Sequence, residues 1–115
     1  IALGLVGCGQ SESNQLWDEA LTFYASHKFM LNSEMEQGPR AQQALNESGA
    51  RTLGQLLQRH PGADEGLRRV LEDLRQGSQH LANGEVRGAE ADALRDRNAE
   101  LWSFLERREL PPDYR

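Results

Sequence analysis

The chain has 115 residues and a formal net charge of −5, with 37% hydrophobic and 27% charged residues, which predicts one small domain with a thin core. Its twelve Arg and one Lys are scattered among Asp and Glu, so the continuous basic stripe of a nucleic-acid surface is missing and we expect no nucleic-acid partner. The single cysteine excludes a disulfide within the chain, and no run approaches the roughly 18 to 20 apolar residues of a membrane-spanning helix.

An uncharged apolar run, residues 1–8, opens the chain and passes directly into a polar stretch, residues 9–15. This arrangement is typical of the end of a secretory signal peptide, so we expect the natural chain to begin before Ile1, with a basic segment. The string Leu5-Val6-Gly7-Cys8 resembles the lipobox of bacterial lipoproteins, in which an aliphatic residue, a small or branched one, and Gly, Ala or Ser precede an obligatory Cys. The resulting division is a signal-peptide remnant (1–7), a lipidated Cys with its spacer (8–15), a helical domain (16–110) and a tail (111–115).

The lipobox resemblance implies specific chemistry at Cys8. In lipoproteins a diacylglyceryl group alkylates the thiol, the signal peptidase cuts before the Cys, and the freed amine is acylated. Several acyl chains on one residue anchor a protein stably, whereas one chain holds it only reversibly. The partner implied is therefore the membrane itself, through lipid on Cys8. Gly9, where an Asp would favour the inner membrane in enteric bacteria, implies the outer membrane, with the domain facing the periplasm.

Three other interpretations of this first segment stay open. Gly7-Cys8-Gly9 imitates the start of a dinucleotide-binding fingerprint, although Glu12 occupies the third glycine position and no second strand follows. The run also fits an interior strand or helix in which Cys8 is a small buried residue. Finally, the chain fits a fragment of a cytosolic protein.

Beyond the spacer, glycine and proline breakers divide the chain into four amphipathic segments of about twenty residues each. Segments of this kind predict an all-α fold, either a four-helix up-and-down bundle or two stacked helical hairpins. The breakers are Gly38-Pro39, His60-Pro61-Gly62, Asn83-Gly84 and Pro111-Pro112.

The first segment, from about Ser13 to Gln37, has apolar residues over nearly half of the helix circumference. We therefore expect it to contact two helices and to be the central one, with Trp17 and Leu21 buried. His27 lies inside the apolar arc, where it is either a hydrogen-bonded core histidine or a pH-sensitive ligand. Phe29 lies well off the arc, among polar residues, and is either an isolated surface aromatic or the anchor of a partner.

The second segment, Pro39 to His60, contains two glycines that predict a kink or break near Ser48-Gly49. His60 ends this segment, where a cation complements the helix dipole, and we expect no other role for it. The third segment, Ala63 to Asn83, has one narrow apolar stripe.

The fourth segment, Val86 to Glu109, ends at two prolines. The tail after it either lies across the bundle through Leu110 and Tyr114 or is a frayed end. Tyr114 is accordingly the second candidate partner-binding residue, after Phe29.

No motif for catalysis or for cofactor binding appears in the sequence. His27, His60 and His80 are far apart and belong to neither an H-E-x-x-H motif nor an E-x-x-H pair, and no paired-Cys spacing or nucleophile elbow is present. We therefore expect no catalytic residue, no metal site, no cofactor and no enzymatic activity.

The sequence thus predicts a lipid-anchored envelope lipoprotein whose small helical domain binds another protein. Its architecture is similar to the small helical pilotins of secretion systems, which implies an escort that grips the C-terminal peptide of a secretin; helical type II pilotins, however, carry a disulfide that this chain cannot form. A periplasmic ligand-binding or inhibitor lipoprotein is an alternative, favoured by a closed apolar cavity lined by Trp17, Tyr24 and Trp102. A structural oligomer is another alternative.

Overall fold

A computed structural model describes residues 2–34 and 38–115, without the side chains of residues 2–11, 31–34 and 39. The described chain forms four helices and a short C-terminal 3-10 turn, with no strand among these residues. The all-α, four-helix prediction is therefore confirmed. The helices are α1 (Ala2–Glu34), α2 (Pro39–Arg59), α3 (Glu65–Asn83) and α4 (Ala89–Glu106), and the turn is Pro112–Tyr114.

The helix ends follow the local signals of the sequence. Pro39 occupies the first turn of α2, where its missing N–H costs nothing. The side chain of Asp64 accepts a hydrogen bond from the amide of Leu67 and so caps the start of α3. Gly84 ends α3 in the left-handed conformation, with φ of 69°. The predicted breakers therefore separate the helices where expected.

The core is centred on α3, so the prediction that the first helix is central is wrong. Leu67, Val70 and Leu71 have no exposed surface. They are enclosed because α3 contacts α2, α4 and the C-terminal turn. A narrow stripe buried from three sides is removed from water more completely than a wide arc that only two neighbours cover.

Helix α1 contacts both α2 and α4, as its wide apolar arc predicts. Among the described side chains of α1, Leu16 and Ala20 are fully buried. Trp17 and Leu21, which we expected to be buried, pack against the core but are only half-buried. The correction has a simple cause: α1 lies on the outside of the bundle, so one edge of its apolar arc faces water.

Helix α2 is continuous, which contradicts the break expected near Ser48-Gly49. Gly49 instead allows α1 to approach closely, since a Cβ there would lie 3.3 Å from the ring of His27 and 3.4 Å from Phe23. The helical cost of this glycine is offset by the packing that it permits.

Residues 8–15 do not form a separate spacer in the described structure, because α1 is helical from Ala2 onward. Glu12 accepts a hydrogen bond of 3.1 Å from the amide of Gly62, and the hydroxyl of Ser13 accepts one of 2.9 Å from the amide of Asp64. The packed helical domain therefore includes at least Glu12 and Ser13, four positions before the boundary expected from the sequence.

The C-terminal tail lies across the bundle, which decides between the two alternatives left open for it. Tyr114 is 7% exposed and belongs to the hydrophobic core. Leu110 packs against the same core, and Pro111 between them is buried. A Cβ at Gly66 would collide with the backbone oxygen of Tyr114, so this glycine is what lets the tail reach α3.

Candidate functional site

Successive helices are antiparallel, so the bundle has two ends, and α1 runs from one of them to the other. We call the end formed by residues 60–64 and 105–110 the near end; Glu12 and Trp17 of α1 contact it. The opposite end, formed by the start of α2 and by residues 84–88, we call the far end. Cys8 lies in α1 on the near side, and its side chain is outside the described residues.

Phe29 and Met30 are the exposed large hydrophobic residues of the described chain, and both lie in α1 toward the far end. The exposed fractions are 74% for Phe29 and 48% for Met30. Lys28, Ser26 and Ala25 beside them are also exposed. The sequence prediction that Phe29 lies on the outer side of its helix is thus confirmed, and its interaction with a partner stays a prediction.

Tyr114, the other candidate contact, is used inside the molecule. Its hydroxyl donates a hydrogen bond to the carboxylate of Asp73 and accepts one of 3.1 Å from Arg97. The side chain is buried, so in this conformation neither its ring nor its hydroxyl is offered to a partner.

His27 is half-buried where α1 meets α2. Its ring centroid lies 5.2 Å from that of Phe23, and the ring packs over Gly49. Burial lowers the pKa of His27 below its ordinary value, because the cation would lose contact with water. The imidazole is therefore neutral near pH 7, as expected of a core histidine.

His60 does more than complement a helix dipole, so the limited role expected for it is wrong. It is 6% exposed, and its Nε2 lies 2.9 Å from the carboxylate of Glu19. Arg59 approaches the same carboxylate to 3.5 Å. These contacts join the end of α2 to α1, and sequence reasoning missed them because Glu19 lies 41 positions from His60.

Trp17, Tyr24 and Trp102 do not line one common closed cavity, which the ligand-binding alternative expected. Tyr24 stacks on Trp102 with centroids 4.4 Å apart and planes at 10°. Trp17 lies elsewhere, since its indole N–H donates to the carbonyl of Leu105 over 2.8 Å. Tyr24 and Trp102 line a cavity of about 140 Å³ toward the far end, whereas Trp17 lines an open concavity of about 830 Å³ at the near end.

A third concavity, of about 600 Å³, runs between α2 and α3, and its walls are polar. Arg68 donates to the carbonyl of Leu57 over 3.1 Å, and Arg75 makes two hydrogen bonds to Glu72. This pair lowers the pKa of Glu72 and raises that of Arg75, chiefly through the hydrogen bonds between them. The wall between α2 and α3 therefore lacks the apolar groove that an amphipathic partner helix needs.

The part of the chain that the structure describes holds no group of three or more His, Cys, Asp and Glu side chains that could bind a metal ion. His80, for example, lies at hydrogen-bonding distance from the carboxylate of Glu85. None of the helices, over the same residues, is long and apolar enough to cross a membrane.

One contact beside the aromatic pair had a partial signal in the sequence. Gly77 lies inside α3 on its buried side, which indicates a close approach, and a Cβ there would lie 2.8 Å from the side-chain oxygen of Asn98. Asn98 lines the same cavity as Tyr24 and Trp102.

No protein-family model matches the chain, and no curated protein or solved structure is significantly similar to it, so its own geometry is the basis for assigning a function.

Proposed function

We propose that this protein is a lipid-anchored lipoprotein of the bacterial cell envelope and that its helical domain binds a protein partner at the far end. Lipid on Cys8 attaches the chain to the outer membrane, facing the periplasm. The string Leu5-Val6-Gly7-Cys8 at the edge of an apolar run motivates the anchor.

The continuity of α1 is the observation that carries the proposal. Cys8 and Phe29 belong to one unbroken helix and lie 21 positions apart. At about 1.5 Å per residue, their backbones are separated by about 32 Å. A rigid helix of this length supports a role in which one end holds the membrane and the other presents Phe29 beyond the lipid head groups.

Phe29 is the residue that we expect to contact the partner. A large aromatic side chain surrounded by exposed polar neighbours, here Ser26 and Lys28, is the usual composition of an interface hot spot. Met30 extends the apolar surface, and a flexible thioether adapts to an irregular partner. Burial of both side chains against a protein removes apolar area from water and so stabilises the complex.

The anchor is tested by Cys8→Ser in the natural precursor, expressed in bacteria and labelled with a clickable palmitate. We expect the variant to lose the label and to leave the membrane fraction, whereas Ser11→Ala, the matched control, keeps both. Labelling of the Cys8→Ser protein at the control level would show that lipidation does not depend on this thiol.

The partner surface is tested by site-specific photocrosslinking in intact cells, with the crosslinking residue at Phe29 or, as control, at Gln58 on α2. We expect a discrete adduct only from position 29. Phe29→Ala should then weaken capture of that protein by about tenfold or more while the melting temperature stays unchanged. Capture at full strength would move the site elsewhere, first to the concavity beside the Pro111-Pro112 tail.

A further inference from the structure

The far end of the bundle contains a ring-sized cavity. It measures about 140 Å³. Its apolar lining consists of the stacked pair Tyr24 and Trp102, Leu81 of α3 and Ala99 of α4, and polar side chains from all four helices complete the lining. A cavity of roughly 150 Å³ lined by apolar side chains accommodates one benzene molecule. The space beside the stacked rings therefore matches a single six-membered ring.

A second concavity, of about 320 Å³, lies beside this cavity, between α2, α3 and α4. The two spaces share Asn46, Leu81 and Arg95 as lining residues. Arg95 consequently stands at the boundary, with the aromatic pair on one side and the more open, amide-lined space on the other. A ligand in the inner cavity would place any polar substituent beside this guanidinium.

The charge of these linings is opposite to that of the whole protein. The chain carries 18 Asp and Glu residues and a net charge of −5, yet, among the side chains that the structure describes, neither lining includes a carboxylate. Lys28 and Arg95 line the inner cavity, and Arg87 lines the outer one. Because burial keeps His27 neutral, the positive charge comes from these three side chains. A positive, partly enclosed space favours an anion.

The two cations nearest the ring retain capacity for an anionic ligand. Arg95 bonds Asp92 through Nη1 over 3.0 Å, but this pair is exposed and a guanidinium has five N–H donors. Lys28 lies 5.6 Å from the centroid of the Tyr24 ring, on the edge of the same cavity. The planar fork of Arg95 matches a carboxylate in size and geometry.

We propose that this site binds a small aromatic carboxylate, with the ring beside Tyr24 and Trp102 and the carboxylate at the boundary formed by Arg95 and Lys28. The ring gains apolar contact, and the carboxylate gains charge-assisted hydrogen bonds from Arg95 and Lys28. The site requires neither the lipid on Cys8 nor a partner at Phe29. The proposal of this site is therefore tested independently of the proposed function.

The test is a calorimetric titration of the purified full chain with benzoate as the probe. We expect saturable binding of benzoate and binding at least about tenfold weaker for benzyl alcohol, which keeps the ring without the charge, and for acetate, which keeps the charge without the ring. Equal binding of benzyl alcohol, or no saturable binding of benzoate at millimolar concentration, would overturn the proposal.

Variants locate the site. Arg95→Gln should weaken benzoate binding by about tenfold or more, whereas Arg51→Gln, an exposed arginine of the α2–α3 concavity, should leave it unchanged. Ala99→Leu is the second variant: Ala99 is exposed, so the larger side chain is tolerated by the fold and extends into the cavity. Benzoate binding that survives both Arg95→Gln and Ala99→Leu would exclude this site.

Discussion

The hydroxyl of Tyr114 donates a hydrogen bond to the carboxylate of Asp73, which lies 41 positions earlier at the middle of α3. Burial, and then the nearby carboxylate, raise the pKa of Tyr114 above its ordinary value, so the phenol stays protonated and continues to donate. Tyr114 is thereby part of the core, and the packed domain includes the segment from Leu110 to Tyr114.

We predict that truncation of Tyr114 destabilises the whole domain. Tyr114→Ala should lower the free energy of unfolding by about 3 to 5 kcal/mol, as for other large aromatic-to-alanine changes in cores. Tyr114→Phe, which loses only the hydrogen bonds, should cost about 1 kcal/mol. Urea denaturation measures both, with Asp113→Asn at the exposed neighbouring position as control. A Tyr114→Ala midpoint equal to the control's would contradict the burial of the tail.

His27 makes stability depend on pH. Its pKa is lowered in the folded state, so the unfolded chain binds a proton more readily than the folded one. The contribution of His27 is fully present above its unfolded pKa of about 6.5 and is lost as the pH falls through and below that value. As the pH falls from 8 to 5, the free energy of unfolding measured by urea denaturation should therefore decrease less for His27→Leu than for the original chain. The same decrease for both proteins would contradict the prediction.

Two helical glycines should respond in opposite directions to the same substitution. At Gly54 an added Cβ would make ordinary contact with Arg75 at 3.5 Å, so Gly54→Ala should stabilise the protein by about 0.5 to 1 kcal/mol through helix propensity. At Gly66 the Cβ would strike the backbone of Tyr114, and Gly66→Ala should destabilise it. Thermal melts of the two variants test the pair. An increase in melting temperature for Gly66→Ala would show that the tail does not press on α3.

The first helix provides a matched pair of leucines. Leu16 has no exposed surface, whereas Leu21 is half-buried. Leu16→Ala should therefore cost about 2 to 5 kcal/mol, and Leu21→Ala clearly less, because a partly exposed site leaves a smaller cavity and loses less transfer energy. Equal urea midpoints for the two variants would contradict the complete burial of Leu16 and the partial exposure of Leu21.

The sequence was sufficient for the number and type of the helices and for the approximate ends of α2, α3 and α4, because these depend on residues close together in the chain. Proline in a first turn, a glycine in the left-handed conformation and an aspartate cap each act within about four positions. Pro39, Gly84 and Asp64 perform these functions as local rules require. The same locality let the helical spacing assign Phe29 to the outer side of α1.

Only the tertiary structure decided which helix is central, that His60 meets Glu19, that Tyr114 is enclosed, and that Tyr24 stacks on Trp102. The three contacts each join residues that are 41 or more positions apart in the chain. The central position of α3 depends instead on how many neighbouring elements cover its apolar side. Helical periodicity specifies the direction of a side chain around its own axis and contains no information about what packs against it. The positively charged lining at the far end arises in the same way, from side chains of all four helices that meet only when the bundle forms.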